Sequence, residues 1–574
     1  MQSSTPKRRI DPARFEVVKN ALYSTAEEMK IIVAKTAFSP LLKLAGDYSC
    51  GVFDTRGNMV AQGPDLPGHL GSMPDAVRAI IAAFPEPVEG DVYIHNDPYT
   101  GGSHLPDVNV ATPAFKDGRL LGYCCVRAHW PDIGSATPGS YGVVTEIYGE
   151  GLRIPPVRLM EAGTLNRQVD ALIFSNIRAP DERRGDLRAQ IAANARGAAR
   201  LAGLAVKYGV DELLEIMQEV MDYSERLMRA ALSTMPDGEA TVAELLDGDG
   251  IIESGQANDE PIRVQVKVTK RGDRVIVDFE GSAAQVAGPM NAPLSVTAAG
   301  VFVPLKMVAD PGSTIPPNSG CWRAVEIRAP KGTVVNAQAP AAVVYANHEV
   351  QQRVGELVMA AFARINPANA MASSQSTAGV CTFGGKDWRS GEDYISYEVT
   401  RGGFGARPMK DGINGIASMC GNMMNTPVEV IEMSFPLRVE EYTLIPDSGG
   451  AGKYRGGLSV RRIWRVLRNG ARVSVCAERG VTPAPGLEGG LPGSCTRVSY
   501  VTSDGRRTFV NTKTSFTLPA EGCLVMEMPG AGGYGPPSER DPEALRQDLL
   551  DGYVTPEAAE KLYGRSAAAL LANR

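Results

Sequence analysis

The chain has 574 residues, with 59 Lys and Arg against 65 Asp and Glu and a formal net charge of −6. This mild acidity, with no basic stripe beyond the short run 7–9, argues against a nucleic-acid partner. No apolar run reaches the ~20 residues that a bilayer span needs, and the N-terminus lacks the apolar core of a secretory signal. We therefore expect a cytoplasmic protein with no membrane partner. The nine cysteines, an odd number without a CxxC pair, indicate reduced thiols.

The first 160 residues predict a mixture of helices and short strands. Asp11 can cap a helix that starts at Pro12 and has its apolar residues at helical spacing. The stretch "DYSCGVFDTRGNMVAQ" alternates on both sides of a turn, as a hairpin does. The predicted elements are a helix over 11–35, a hairpin over 47–62, a helix over 72–84, a strand over 91–95 and a hairpin over 108–130.

The following residues alternate between helical and strand-rich stretches. Residues 160–235 are rich in Ala, Leu, Arg and Glu and predict long amphipathic helices closed by Gly209 and Pro236. We expect an α+β fold: mixed sheets in several layers, a long helical insert and a β-rich C-terminal half. Further predicted elements are a hairpin over 262–281, a helix over 348–367, short strands to about 535 and two capped helices, the second opened by Thr555-Pro556. The expected units are 1–159, 160–238, 239–535 and a small helical tail over 536–574.

The stretch "HNDPYTGGSHLPDVNV" (95–110) concentrates residues that can carry chemistry. Three of the five histidines, His95, His104 and His129, lie within 35 residues of one another. A divalent metal favours neutral imidazole nitrogens and ionised carboxylate oxygens that converge from separate backbone segments. His104 and Asp107 flank a rigid Leu-Pro pair, and His129 ends the predicted hairpin. Spacing alone leaves two interpretations open: a metal site, or polar loop residues with ordinary hydrogen bonds.

Other polar residues near this stretch have weaker claims to a functional role. Asp132 is close enough in sequence to His129 to orient it or to serve as the catalytic general base. His95 and Asp97 can orient a ligand, or they can close a tight turn. For His69 we expect loop packing first and pocket lining second.

Motifs for nucleotide binding and for serine hydrolysis are missing from the sequence. "SGGAGKYRGG" (448–457) places Tyr454 where a Walker loop needs Ser or Thr, and no GxGxxG opens a helix after a strand. No GxSxG elbow occurs either, which disfavours a serine hydrolase. If the chemistry consumes ATP, we expect the nucleotide site on another polypeptide.

Several long motifs resemble those of one family. They are "DYSCGVFDTRGNMVAQ", "NDPYTGGSHLPD", "PPNSGCWRAVEIRAPKGTVVNAQAPAAVVYANHEVQQR", "NMMNTPVEVIE", "PDSGGAGKYRGG" and "GGYGPPSERDPE". In this order they are similar to the hydantoinase B/oxoprolinase family, from about residue 12 to the C-terminus. The family includes the second subunits of ATP-dependent hydantoinases and caprolactamase and related subunits of ketone carboxylases.

The resemblance implies a metal site built by Asp47, His104, Asp107 and His129. Two imidazoles and two carboxylates suit zinc, manganese or iron better than magnesium. The family often carries an Arg or Lys shortly before the first aspartate, where this chain reads "LAGDYS", and that departure can alter the pocket. His348 stands where the family has a different residue, so a shared catalytic role is disfavoured and a substrate-specific one stays open.

The resemblance also implies a function. We expect one subunit of a heteromeric, ATP-dependent hydrolase of a cyclic amide, such as a hydantoin, lactam or oxoproline-like ring. A hydantoinase A-like partner would bind ATP and magnesium, and the metal here would activate water or orient the phosphorylated substrate. The alternatives are a subunit of a ketone carboxylase and a non-catalytic scaffold.

Overall fold

The computed structural model describes residues 10–253, 256–257 and 259–572. The basic run 7–9 lies outside these residues. Within them, no helix combines the length and the apolar composition that a membrane span requires. The fold is α+β with several sheets, as the sequence predicts.

The first sheet is antiparallel and runs in the order β2-β1-β5-β4-β3-β6-β7. Both predicted hairpins of this region are confirmed, since β1 pairs with β2 and β4 pairs with β5. Asp11 caps the first helix through the backbone N–H groups of Ala13 and Arg14. The strands are β1 (Tyr48–Phe53), β2 (Met59–Gln62), β3 (Val92–His95), β4 (Asp107–Lys116), β5 (Arg119–His129), β6 (Val157–Glu161) and β7 (Thr164–Leu165), with helices α1 (Pro12–Thr36), α2 (Pro67–Leu70) and α3 (Met73–Ala83).

A helical layer covers one face of this sheet. It consists of α4 (Arg167–Phe174), α5 (Pro180–Tyr208) and α6 (Val210–Thr234), and α5 packs against β4, β5 and α1. Gln190 donates hydrogen bonds to the carbonyls of Val108 and Val126, and its own Oε1 accepts one from the Trp130 indole. These bonds tie the helix to the two strands whose ends carry Asp107 and His129. The predicted helix ends are confirmed, because α5 stops before Gly209 and α6 stops two residues before Pro236.

The middle of the chain forms a four-stranded sheet in the order β13-β12-β11-β8, with β12 and β13 parallel. The predicted 348–367 helix has a π-helical first turn, Ala346–Val350, before α8 begins. The helix α7 was not predicted, because β-branched residues and Pro304 are weak or poor helix formers, and packing against α8 overrides this preference. The elements are β8 (Gly238–Leu246), β9 (Ile252–Glu253), β10 (Gln256–Ala257), β11 (Ile262–Arg271), β12 (Arg274–Asp278), α7 (Leu294–Ala309), β13 (Val325–Arg328) and α8 (Gln351–Ile365).

The C-terminal part holds two antiparallel sheets in the orders β15-β14-β18-β21 and β16-β17-β22-β19-β20. Both predicted tail helices are confirmed, with Asp541 and Thr555 as their capping residues. The elements are β14 (Val380–Lys386), β15 (Asp393–Val399), α9 (Val428–Ser434), β16 (Leu437–Leu444), β17 (Val460–Val466), β18 (Ala471–Cys476), β19 (Arg497–Val501), β20 (Arg507–Val510), β21 (Lys513–Leu518), β22 (Cys523–Glu527), α10 (Pro542–Leu550), α11 (Pro556–Tyr563) and α12 (Ala567–Ala572).

Two glycines of α5 test how tightly this helix packs. A Cβ at Gly197 would lie 2.6 Å from the Met29 sulfur and 2.7 Å from the Cys124 sulfur, whereas a Cβ at Gly203 meets nothing within 4 Å. We expect Gly197→Ala to lower the free energy of unfolding by about 1–3 kcal/mol through overpacking. Gly203→Ala should raise it by about 0.5–1 kcal/mol, because alanine costs less backbone entropy in a helix. Denaturant unfolding of both variants is the measurement, and equal effects would contradict the packing of α5.

Candidate metal centre

The hairpin β4–β5 brings two of the predicted ligands, Asp107 and His129, together. Asp107 begins β4, His129 ends β5, and the two residues are directly paired across the strands. The Asp107 Oδ1 and His129 Nδ1 atoms lie 3.3 Å apart, and both side chains are buried. A strand pair therefore presents one carboxylate and one imidazole at the same edge of the sheet.

Asp47 reaches the same edge from a different direction. A π-helical turn, Leu41–Ala45, ends at Gly46, whose φ of +73° is the left-handed conformation that glycine adopts without strain. The next residue is Asp47, whose carbonyl accepts a hydrogen bond from the His129 N–H at 3.0 Å. Its Oδ2 lies 3.9 Å from His129 Nδ1. Such π-helical turns occur frequently at functional sites.

His104 lies in the loop before β4, and a hydrogen bond fixes the orientation of its ring. Its Nδ1 lies 3.0 Å from the carbonyl of Val344, which can only accept, so Nδ1 carries the proton and Nε2 keeps its lone pair. That Nε2 lies 3.2 Å from Asp107 Oδ1. The other carboxylate oxygen of Asp107 accepts hydrogen bonds from Ser103 at 2.5 Å and Asn347 at 2.8 Å. Hydrogen bonds from residues outside the ligand set, such as these, orient metal ligands.

His69 joins the same cluster, although loop packing was its first predicted role. Its Nε2 lies 3.6 Å from Asp107 Oδ2 and 3.7 Å from Asp47 Oδ1. Its Nδ1 is 3.2 Å from the Ser49 hydroxyl. The second alternative, pocket lining, describes this position better. No signal in the sequence distinguishes His69 from an ordinary loop histidine, because its loop meets the hairpin only in the folded chain.

The donor atoms fit a transition-metal ion. His104, Asp107 and His129 each offer a ligand atom, and these atoms all lie within 4.8 Å of one another. Ligands held at ~2.1 Å in a tetrahedron would be separated by ~3.4 Å, close to the 3.2 and 3.3 Å found here. His104 Nε2 and Asp107 Oδ1 are buried without a hydrogen-bond partner among the described residues. Unsatisfied buried lone pairs that face one another are what a cation would satisfy.

The charge states of the cluster residues are also consistent with a bound cation. Burial lowers the pKa of His69 and of His129 to about 4, so both imidazoles are neutral at pH 7, as metal ligands must be. Burial and repulsion from Asp107 raise the pKa of Asp47 well above its usual range. Burial opposes the ionisation of Asp107, but interactions with His104 and His69 outweigh it and lower the pKa of Asp107. A cation would relieve the repulsion between the two carboxylates.

Asp132, the predicted general base, has its carboxylate engaged elsewhere. Its oxygens accept hydrogen bonds from the backbone N–H groups of Gly134, Gly139 and Arg178, and from the Arg178 guanidinium at 3.0 Å. A carboxylate offers about four acceptor positions, and these donors occupy them, so little is left to receive a substrate proton. This geometry disfavours the general-base role and gives Asp132 a loop-stabilising one.

The remaining histidines occupy different positions. His95 hydrogen-bonds the Thr100 hydroxyl at 2.9 Å, and Asp97 caps the backbone N–H of Tyr99 and pairs with Arg153, which supports the tight-turn interpretation. His348 packs against the His104 ring with centroids 5.2 Å apart, and its Nε2 lies 2.9 Å from the Tyr397 hydroxyl. His348 therefore lines the site without contributing an obvious ligand atom.

Two neighbouring cavities with shared lining residues lie at the cluster. The inner one, of about 40 Å³, is lined by Asp47, His69, His104 and His129 and by polar residues of α8 and of the π-helical turn Ala346–Val350 that precedes it. The outer one, of about 470 Å³, shares Arg401, Ser418, Gly421 and Met423 with it. A larger cavity of about 720 Å³, walled by Phe302 and Trp322, lies on the far side of the 63–71 loop and does not include the cluster.

Comparison with known proteins shows the family to which this chain belongs. The sequence model of the family described as Hydantoinase B/oxoprolinase matches residues 11–537, and the chain belongs to this family. It is 33% identical to a putative D-/L-hydantoinase B subunit from Pseudomonas sp., over 98% of this chain and 96% of the relative. It is 32% identical to the beta subunit of the caprolactamase from Pseudomonas jessenii, over 97% and 96%.

Two solved structures share the fold. The crystal structure of the ATP-dependent caprolactamase from Pseudomonas jessenii superposes with a TM-score of 0.87, covering 97% of this chain and 96% of that chain. The nucleotide-free structure of acetone carboxylase gives a TM-score of 0.89 over 96% and 79%, at 20% identity. At that identity the second likeness shows the fold alone.

Proposed function

We propose that this chain is the metal-carrying subunit of a heteromeric, ATP-dependent hydrolase of cyclic amides. The observation that carries the proposal is the buried cluster of Asp47, His69, His104, Asp107 and His129 beside a small cavity. The relatives named as a hydantoinase subunit and as a caprolactamase subunit supply the substrate class. An intact donor set argues against the scaffold alternative, since a scaffold has no need to bury two carboxylates.

We assign the ATP-binding site to a partner polypeptide. The glycine-rich stretch 448–457 resembles a phosphate loop, but its Lys453 pairs with Glu539 at 3.2 Å instead of facing an open loop. The sequence also places Tyr454 where magnesium would need a hydroxyl ligand of Ser or Thr. These features support a hydantoinase A-like partner that binds ATP and magnesium and activates the amide, which is otherwise a poor electrophile.

His104, Asp107, His129 and Asp47 would hold a divalent zinc, manganese or iron ion, with His69 as an additional donor. When bound, such an ion supplies a Lewis acid that polarises a carbonyl oxygen and lowers the pKa of water toward ~7. The chain's own residues orient the reactants around it. Asn347, which lines the inner cavity, donates to Asp107 through its amide nitrogen, and its buried Oδ1 has no hydrogen-bond partner among the described residues. That acceptor can receive an N–H or O–H group inside the cavity.

The metal assignment predicts the ion content of variants. We expect roughly one ion per wild-type chain, and His104→Ala or Asp107→Ala should weaken affinity by more than the ~10–100-fold that loss of an outer partner costs. His95→Ala is the matched control, because His95 is buried at the end of β3 and lies outside the donor cluster. Elemental analysis after dialysis is the measurement. Full metal content in both ligand variants, with normal thermal unfolding, would place the ion elsewhere.

The functional proposal is tested on the reconstituted complex. We expect this chain and an ATP-binding hydantoinase A-like partner together, but neither alone, to couple ATP hydrolysis to the opening of hydantoin, 5-oxoproline or caprolactam. A complex that contains His104→Ala should assemble, and its rate of ring opening should fall by at least ~100-fold. Ring opening by the purified single chain would refute the two-subunit assignment. ATP-dependent turnover of acetone that requires bicarbonate would identify the carboxylase alternative instead.

A further inference from the structure

Arg401 lies where the inner and outer cavities share lining residues. It follows β15 by two residues, and its side chain lines both the cavity that holds the donor cluster and the outer cavity of about 470 Å³. It is 6% exposed. Of the four residues that line both cavities, Arg401 is the one that carries a charge.

The charge of Arg401 has no carboxylate partner within 4 Å among the described residues. Its guanidinium donates a hydrogen bond to the carbonyl of Met423, and burial lowers the pKa of the side chain. Six other buried arginines each pair with a carboxylate: Arg183, Arg353, Arg455, Arg462, Arg479 and Arg540. Arg127 also lacks such a pair, but its guanidinium donates to Asn109, Ser72 and the carbonyl of His69.

The carboxylates of Asp47 and Glu398 interact with the charge of Arg401, but from beyond ion-pair distance. A buried cation without a direct ion pair would be stabilised further by a bound anion. A guanidinium presents several N–H donors in a planar fork, which matches carboxylate and phosphate oxygens. Because Arg401 opens onto both cavities, such an anion can be part of a ligand. The inner cavity of about 40 Å³ is too small for a lactam ring, whereas the outer one falls in the range of small-molecule sites. A ring in the outer cavity would direct its carbonyl past Arg401 toward the donor cluster.

We propose that Arg401 binds an anionic group of the substrate, so that the site selects cyclic amides that carry a negative charge when they reach the donor cluster. The inference rests on the proposed function. The charge has two chemical sources with the same oxygen geometry: a carboxylate on the ring, or the phosphoryl group introduced when the partner activates the amide.

Ligand binding to the metal-loaded full chain separates these sources. The probes are 5-oxoproline, its uncharged ring analogue 2-pyrrolidinone, and inorganic phosphate. If the ring carboxylate is the anion, 5-oxoproline binds at least ~10-fold tighter than 2-pyrrolidinone, and Arg401→Met removes the difference. If the phosphoryl group is the anion, the two rings bind alike and Arg401→Met weakens phosphate binding by at least ~10-fold.

Two further variants keep the test decisive. Arg401→Lys retains the charge but loses the fork, and should retain part of the anion affinity even if Arg401→Met folds poorly. Arg407→Met is the matched control, because Arg407 lines the separate cavity of about 720 Å³. Unchanged binding of all three probes in folded Arg401→Met overturns the inference. Loss of anion binding in a complex that opens no cyclic amide would instead refute the proposed function and leave the anion site standing.

Discussion

The register of the β4–β5 hairpin places Asp107 directly opposite His129, and the rest of the site is assembled on this pair. Side chains alternate between the two faces of a sheet, so a slip of one residue would turn one of the two away. Asp47 is attached to the same point by its carbonyl, which accepts the backbone N–H of His129. The backbone N–H of Asp107 in turn donates to the carbonyl of His104. One strand register thus positions four candidate ligands.

Desolvation is the second constraint on this region. Asp47 and Asp107 are 2% and 0% exposed, and their mutual repulsion contributes to the raised pKa of Asp47. Hydrogen bonds from Ser103 and Asn347 satisfy one oxygen of Asp107 and leave the other facing the imidazoles. Two buried carboxylates are stable in their ionised forms only with positive charge close by. Arg401 is one such charge, because it acts to lower the pKa of Asp47. A metal ion held by the donor cluster would be a second.

Local signals made much of the fold predictable. Capping by Asp11, hairpin alternation and the glycine after α5 depend on neighbouring residues, and each prediction is confirmed. The helix α7 was missed because its propensity is weak and packing against α8 stabilises it. The site was only partly predictable. His69 lies in the short helix α2 and Arg401 follows β15, both far from the hairpin in sequence, and their roles depend on tertiary contacts. For Asp132, proximity in sequence to His129 predicts a general base, whereas in the fold its carboxylate pairs with Arg178.

Anomalous X-ray diffraction from crystals of the metal-loaded chain tests the central claim most directly. The account predicts one strong anomalous peak enclosed by His104, Asp107, His129 and Asp47, at ~2.0–2.2 Å from the ligand nitrogen and oxygen atoms. It also predicts that His69 faces the same peak. A peak at another place in the chain, or density in which these side chains hydrogen-bond one another around no ion, would contradict it.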